Sequence, residues 1–262
     1  MATRKLRFPT VRDVPVSRIR VISDGFLNLF YPESCFICSS PVARRQDCGL
    51  CDECWRKVLS LRIEGACCPS CSAPLPNFAE GSESLCLDCV RQPPPYSGAR
   101  SFGYYSTELR QAIHELKFQG RRTLVQLLAP LLADVFFESW QREDFDFLTD
   151  VPLHPSRRRE RGFNQAELLC RALAQIIGLP KFESMRRTAS TRSQVGLSDA
   201  QRLENVRNVF NCAHIDRVAG KRILLVDDVM TTGATVASAA QTLIDAGAKK
   251  ISILTVARAI RM

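Results

Sequence analysis

Two adjacent carboxylates, Asp227 and Asp228, follow the apolar run at 223–226 and precede a loop of small residues. The loop from Thr231 to Thr235 has no bulky side chain, so its backbone N–H groups can close around a phosphate at the positive end of the following helix. Two acids beside a phosphate repel it unless the ligand offers neighbouring hydroxyl groups or brings a divalent cation. A ribose 5-phosphate has both the phosphate and the hydroxyls. The pattern therefore predicts a sugar-phosphate site, against the alternative of a buried strand end at which an aspartate only caps the loop.

Ten of the twelve cysteines lie between Cys35 and Cys89, and such clustering needs a local cause. Disulfides would require an oxidising compartment, whereas thiolate ligation of a metal requires a reducing one. The first 30 residues have neither an uninterrupted apolar segment nor a small-residue cleavage site, so they do not resemble a secretory signal. An arginine-rich mitochondrial presequence is the competing interpretation, and the acidic residues and prolines of this segment count against it. We therefore expect a cytoplasmic protein with metal-binding cysteines.

The cysteine spacing predicts two zinc ribbons in series. Each combines two C-x2-C pairs, and four thiolates complete a structural tetrahedral site with no open position for catalysis. Zinc would then supply folding free energy that a small cysteine-rich segment cannot obtain from an apolar core. Interleaved pairing, cysteines without metal, and ligation by Cys48 or Cys67 remain alternatives. The predicted ligands are Cys35, Cys38, Cys51 and Cys54 at the first site and Cys68, Cys71, Cys86 and Cys89 at the second.

Positive charge is concentrated in one part of the chain. The chain has a net charge of +9, and residues 153–207 hold eleven Lys/Arg against five Asp/Glu, which is a net +6. This surplus favours phosphate-bearing partners, and charge alone does not separate a nucleotide, a nucleic acid and a membrane lipid. The arginines at 157–161 are too dense for a simple solvated helix face, although solvent exposure remains the alternative for Arg158 and Arg159. Lys117 either contacts phosphate or stabilises a helix C-terminus, and His154 is the histidine expected nearest the pocket.

Alternating apolar and helical patterns after residue 98 predict an α/β fold whose parallel sheet has helices on both faces, with ligands bound at the carboxyl ends of the strands. The longest mostly apolar run, at 124–137, has fourteen residues and is too short to cross a bilayer. The predicted divisions are a lead segment and helix at 1–34, a double zinc ribbon at 35–91, a proline-rich linker at 92–98 and an α/β domain at 99–262. The predicted strands are 99–105, 145–153, 221–227 and 251–257, and the predicted helices are 109–118, 123–138, 164–177 and 235–246.

The segment ILLVDDVMTTGAT at 223–235 resembles the phosphoribosyl pyrophosphate (PRPP) signature of type I phosphoribosyltransferases. Zinc ribbons followed by such a domain resemble the ComF/GntX family of bacterial competence-associated proteins. The resemblance extends over nearly the whole chain. It includes FLNLFYPESCFIC at 26–38, LKFQGRR at 116–122, VPLHPSRRRERGFNQAELLCRALA at 151–174 and the residue spacing between Arg187 and Phe210.

The resemblance implies roles for particular residues. Asp227 and Asp228 match the pair that holds the ribose hydroxyls, and the loop 231–235 matches the 5-phosphate loop. Arg161 and Gly162 would form the tip of the pyrophosphate loop, and residues 187–205 would form a hood that closes over PRPP. The catalytic set is Asp227, Asp228, Arg161 and Arg187. The complete PRPP-binding set is Asp227, Asp228, Val229, Met230, Thr231, Thr232, Gly233, Ala234, Thr235, Arg161, Gly162 and Lys117.

Two hypotheses about function follow from the resemblance. The first is a magnesium-dependent phosphoribosyltransferase that binds PRPP and takes part in DNA uptake during natural transformation. The second is a non-enzymatic competence adaptor that binds single-stranded DNA, a helicase or other uptake proteins, with a regulatory or vestigial PRPP pocket. No segment of the sequence indicates the acceptor substrate or the oligomeric state.

Overall fold

The computed structural model describes residues 34–42, 48–75, 84–188 and 209–260. The predicted lead segment lies outside these residues except for Ser34, and so does the predicted hood beyond Thr188. The helices in chain order are α1 (Asp52–Ser60), α2 (Leu87–Arg91), α3 (Thr107–Phe118), α4 (Val125–Ser139), α5 (Pro155–Arg161), α6 (Gln165–Ile177), α7 (Ile215–Val218) and α8 (Ala234–Asp245). The strands are β1 (Gly98–Tyr104), β2 (Phe147–Asp150), β3 (Met185–Arg187), β4 (Phe210–Cys212), β5 (Arg222–Met230) and β6 (Lys250–Arg258).

Four strands form a parallel sheet in the order β1-β6-β5-β2. The chain reaches the central strands β5 and β6 last, and their neighbours β1 and β2 come from earlier in the chain. All four strands end at the same edge because they are parallel, so the loops that follow them come together there. This arrangement confirms the predicted α/β class. Strands β3 and β4 form a separate antiparallel pair that the sequence analysis did not predict.

Alternation along β5 and β6 divides the core between the two faces of the sheet. Leu224 and Val226 pack in one apolar cluster with residues of α3, α4 and α6. Ile223 and Leu225 alternate with these residues along β5 and pack in a second cluster with residues of α8. Side chains alternate between faces with a period of two, so these apolar runs need a cover on both sides. Helices therefore lie on both faces, as the sequence analysis predicts.

The cysteine-rich part packs directly on this domain. In the first ribbon, Trp55 and Val58 of α1 are buried in the cluster that contains α3 and α4. In the second ribbon, Cys71 and Cys89 are buried in the cluster that contains α8. Tyr96, within the predicted linker, is also buried there. Each ribbon therefore extends one of the two cores of the domain, while the domain limits predicted from the sequence remain a prediction.

Two element predictions are wrong in detail. The segment between 153 and 164 is interpreted from sequence as a loop, but it contains the helix α5 at Pro155–Arg161. Pro155 stands at the start of α5, where a missing N–H costs no hydrogen bond, and left-handed Gly162 ends the helix. Strand β5 also continues three residues past its predicted end at Asp227, because Val229 and Met230 still pair with β6. The acidic pair is therefore held by the sheet itself.

Candidate functional site

Asp227 and Asp228 lie towards the carboxyl edge of the sheet, in the second half of β5. They are only 9% and 3% exposed, because β6 and β2 flank this strand. Asp227 Oδ1 accepts a hydrogen bond from the Asp228 backbone N–H at 2.9 Å. Asp228 Oδ2 lies 2.7 Å from the Lys117 ammonium, which comes from the last turn of α3. The site thus holds two carboxylates and one lysine cation in contact.

The acidic pair carries a strong electrostatic perturbation. Burial raises the pKa of Asp227 well above its ordinary value, and the negative charge of Asp228 raises it further. The positive charge of Lys117 acts in the opposite direction. Two buried carboxylates are retained at a cost in folding stability, which indicates a function for their charge.

We expect Asp227→Asn to raise the melting temperature at neutral pH by about 2–5 °C, because it removes a buried charge that Asp228 repels. The pKa of Asp227 is higher in the folded chain than in the unfolded chain, so protonation of this side chain stabilises the fold. This contribution to the free energy of unfolding is complete below about pH 4 and is lost as the pH rises through the folded-state pKa. The stability difference between the variant and the wild type should therefore increase with pH from about 4 upward. Thermal melts at several pH values measure it. Asp228→Asn is the control and should not stabilise, since it leaves Lys117 without its partner; a lower melting temperature for Asp227→Asn would contradict the prediction.

The small-residue loop lies open beside this pair. Thr231, Thr232, Ala234 and Thr235 are exposed, and Gly233 stands at the N-cap of α8 with φ +83°. Thr232 Oγ1 accepts a hydrogen bond from the Ala234 N–H at 3.3 Å. An added Cβ at Gly233 would approach the Met230 methyl to 3.0 Å, so both the conformation and the space favour glycine. An exposed loop at the N-terminus of a 12-residue helix suits an anion.

Arg161 approaches the site from the end of α5. Its Nη1 donates to Gln165 Oε1 at 2.6 Å, and its guanidinium lies 4.9 Å from the centre of the Phe118 ring. Burial lowers the pKa of Arg161, and the negative charge of Asp228 opposes this shift. Arg161 is therefore held near the acidic pair by contacts with two different helices.

Arg187 comes from a different element, the strand β3. Its guanidinium lies 5.4 Å from the centre of the Phe210 ring on β4. Burial lowers the pKa of Arg187, the nearby positive charge of Arg157 adds to the effect, and the negative charge of Asp227 opposes it. The four residues that the resemblance implies as catalytic thus interact electrostatically at one edge of the sheet, together with Lys117.

Other predicted site residues take different positions. Arg157, Arg158 and Arg159 lie exposed on α5, where Arg158 pairs with Glu167 at 3.0 Å. His154 is the N-cap of α5, and its Nδ1 accepts a hydrogen bond from the Ser156 N–H at 3.2 Å. Its side chain therefore caps a helix, in a half-buried position.

Another buried carboxylate supports the segment that carries Arg161, and the sequence analysis missed it. Asp150, the last residue of β2, lies 2.8 Å from Lys181 Nζ and accepts a hydrogen bond from Asn164 Nδ2 at 3.0 Å. Asn164 Nδ2 also donates to the Val151 carbonyl at 3.1 Å. These contacts join the two ends of the segment 150–164. The same signal that identified Asp227, an aspartate at the end of an apolar strand, is also present at Asp150 and could have identified it.

The cysteines form two compact four-sulfur groups in series, as the sequence analysis predicts. Cys35, Cys38, Cys51 and Cys54 form one, and Cys68, Cys71, Cys86 and Cys89 form the other, with the sulfurs of each group within 4.8 Å of one another. Four sulfurs about 2.3 Å from one zinc ion lie about 3.8 Å apart, so both groups fit zinc. Among the described residues, neither group includes Cys48 or Cys67.

The two ribbons repeat the same local structure. Residues Ser39 and Ser72 each follow a knuckle in the left-handed conformation, with φ of 61° and 59°. Cys51 and Cys86 each stand at the N-cap of a helix, α1 and α2, whose first turn carries the next ligand. Within residues 34–42, 48–75, 84–188 and 209–260, no helix combines the length and apolar character required to cross a bilayer.

Comparison with known proteins agrees with this architecture. A model of the "Double zinc ribbon domain" matches residues 26–96, and a model of the "Phosphoribosyl transferase domain" matches residues 165–261. The chain is 34% identical to "DNA utilization protein YhgH" of Salmonella typhi over 88% of its length and 99% of that protein. It is 31% identical to "Competence protein F" of Haemophilus influenzae, over 80% of this chain and 91% of that protein. It is 25% identical to "Competence protein ComFC" of Bacillus subtilis, over 86% of this chain and 94% of that protein. The chain therefore belongs to the ComF/YhgH family, in which a double zinc ribbon precedes a phosphoribosyltransferase domain.

Proposed function

We propose that this chain binds PRPP with magnesium and acts as a phosphoribosyltransferase. The observation that carries the proposal is the buried pair Asp227 and Asp228 beside an exposed loop of small residues at the N-terminus of α8. An anion alone would not be attracted by two carboxylates. A 5-phosphorylated ribose satisfies both features, because its phosphate meets the loop and its two ring hydroxyls donate to the acids.

The surrounding cations suit the diphosphate of PRPP. Lys117, Arg161 and Arg187 approach the acidic pair from three different elements. Arginine and lysine side chains around a diphosphate neutralise its charge as it leaves. Magnesium, when bound with PRPP, adds to this neutralisation, and carboxylate oxygens such as those of Asp227 and Asp228 are the ligands that it prefers.

The reaction consistent with these residues is a displacement at the anomeric carbon. The bond from this carbon to the diphosphate oxygen breaks with its electron pair, and a nucleophilic atom of the acceptor forms the new bond. The three cations hold the leaving diphosphate, and the acids hold the hydroxyls of a ribose ring that becomes oxocarbenium-like. The relatives are named for DNA utilization and for competence, which supports a role of this chain in DNA uptake.

Thermal melts with PRPP and magnesium test the proposal. PRPP at about one hundred times its Kd should raise the melting temperature by roughly 5–10 °C, because ligand binding to the folded state contributes about 2.7 kcal/mol. D-ribose lacks both phosphate groups and is the matched control that should give no shift. No shift at millimolar PRPP with magnesium would reject the proposed function, and release of pyrophosphate that depends on an added acceptor would establish turnover.

A second candidate function is that of an adaptor for single-stranded DNA. The exposed arginines of α5, at positions 157, 158 and 159, favour it because they lie on a surface that a nucleic acid backbone can reach. Such binding should weaken steeply with salt and should survive replacement of Asp227 and Asp228 by asparagine. A filter-binding titration at several salt concentrations measures both, and affinity that is absent or independent of salt would remove this candidate.

A further inference from the structure

Arg258 lies outside the predicted site but contacts the loop that holds the proposed 5-phosphate. It is the last residue of β6 and pairs with Met230 in the register of the sheet. Its Nη1 donates to the Met230 carbonyl at 3.1 Å and also contacts the Thr231 carbonyl. These two carbonyls belong to the backbone that enters the loop 231–235. Arg258 therefore restrains the loop at its first residue.

The same guanidinium also holds the second zinc ribbon. Arg258 Nε donates to the carbonyl of Cys71 at 3.0 Å, and Cys71 is one of the four sulfurs of the second group. The guanidinium is planar, so its donors keep a fixed geometry relative to one another. A displacement of the Cys71 carbonyl must therefore either break this hydrogen bond or move the Nη1 donor that holds the loop.

A second contact joins the ribbon and the loop. Tyr96 is buried in the apolar cluster that contains Cys71, Cys89 and Met230. An added Cβ at Gly233 would lie 3.6 Å from the Tyr96 hydroxyl oxygen. The tyrosine thus packs between the second cysteine group and the glycine that begins α8. Two independent side chains therefore connect this zinc ribbon with the loop, Arg258 at Thr231 and Tyr96 at Gly233.

The position of the Cys71 carbonyl depends on the knuckle around the second sulfur group. The Ser72 N–H donates to the Cys68 carbonyl at 2.8 Å, and Ser72 adopts a left-handed φ of 59°. A bound zinc ion would constrain this turn by holding Cys68 and Cys71 at a common centre. The second zinc site and the loop 231–235 are therefore joined through the side chain of Arg258.

We propose that Arg258 is a positioning residue for the 5-phosphate loop and that it couples this loop to the second zinc site, so that zinc and a 5-phosphorylated ribose bind cooperatively. The inference rests on the proposed function, since it assumes that the loop receives the sugar phosphate. Such coupling is reciprocal for binding free energies: the sugar phosphate must also tighten zinc binding at the second site. The connection does not pass through Lys117, Arg161 or Arg187, so pyrophosphate binding should be independent of it.

Calorimetry on the zinc-loaded chain tests the positioning role, with ribose 5-phosphate and inorganic pyrophosphate as separate probes. Arg258→Met should weaken ribose 5-phosphate binding about tenfold and leave pyrophosphate binding unchanged. Arg100→Met is the matched control, because Arg100 Nη1 donates to the Pro69 carbonyl of the same ribbon at 3.0 Å but not to the loop. It should change neither affinity. A merely structural effect of Arg258→Met would lower both affinities together.

Equilibrium competition for zinc tests the coupling in the wild-type chain and does not depend on the folding of any variant. Against a chromogenic chelator, saturating ribose 5-phosphate should lower the apparent zinc Kd of one of the two sites about tenfold, and D-ribose should not. Arg258→Met should abolish this change. Equal zinc affinity with and without ribose 5-phosphate, or wild-type ribose 5-phosphate affinity in Arg258→Met, would overturn the inference alone. If the wild-type chain binds neither PRPP nor ribose 5-phosphate, the proposed function fails and this inference fails with it.

Discussion

The double variant Asp227→Asn with Asp228→Asn is expected to lose PRPP affinity by roughly a hundredfold or more. A hydrogen bond to a charged group contributes about 1.5–3 kcal/mol, and each carboxylate would receive one from a ribose hydroxyl. Simple electrostatics predicts the opposite sign, because removing two negative charges from the cleft should strengthen the binding of an anion. The direction of the change therefore separates recognition of the hydroxyls from general attraction of phosphate.

Isothermal calorimetry with PRPP and magnesium measures this change. The matched control is Asp216→Asn with Asp245→Asn, which makes the same change in net charge on α7 and at the far end of α8. The control should keep wild-type affinity. Inorganic pyrophosphate should bind the acidic-pair variant at least as tightly as it binds the wild type, because it has no ribose. An affinity for PRPP that is unchanged or higher in the acidic-pair variant would contradict the proposed sugar-phosphate site.

Loss of either zinc ligand set is expected to have the largest effect on stability. Structural zinc sites contribute about 10–16 kcal/mol of binding free energy in small zinc-finger peptides, which exceeds or equals the total stability of about 5–15 kcal/mol of a typical domain. Both ribbons pack into the cores on the two faces of the sheet, so the effect should spread beyond the cysteines. The melting temperature should fall by more than about 10 °C after loss of one site.

Elemental analysis combined with thermal melts measures this prediction. The wild-type chain should contain two zinc ions, and the variants Cys35→Ser with Cys38→Ser and Cys86→Ser with Cys89→Ser should each contain one. Cys48→Ser and Cys67→Ser are the controls, because neither residue belongs to a four-sulfur group, and both should retain two zinc ions. A zinc content near zero in protein purified without chelator would refute both sites.

The zinc ligands and the acidic pair could be predicted from the sequence because their chemistry is local. A C-x2-C pair brings two sulfurs to one turn regardless of the rest of the fold, and the order of the four pairs favours serial grouping. Likewise, an apolar strand that ends in acids and small residues places those groups at the end of the strand. The continuous apolar run at 223–226 also predicts that both faces of the sheet are covered. Consecutive side chains of a strand point to opposite faces, so both faces are apolar here.

The helix α5 was not predictable in the same way. It consists of PSRRRER, which has no apolar stripe from which a helical period can be recognised. Its start depends on capping by His154, and its end depends on Gly162. Contacts of Arg158 with Glu167 and of Arg161 with Phe118 hold this short polar helix against its neighbours, and the sequence pattern does not contain them.

Short-range patterns thus determined the class of fold, the C-x2-C pairs of zinc ligands and the chemistry of the strand end, since each depends on residues only a few positions apart. The grouping of those pairs in series was decided by the tertiary structure. Contacts between distant segments were decided by the tertiary structure alone. The strand order β1-β6-β5-β2 brings Lys117 to Asp228 across 111 positions, and it sets Arg258 between Cys71 and the loop after Met230. Such contacts depend on which strands become neighbours. The entropic cost of closing a loop rises only slowly with its length, so the distance between two residues along the chain does not specify whether they meet.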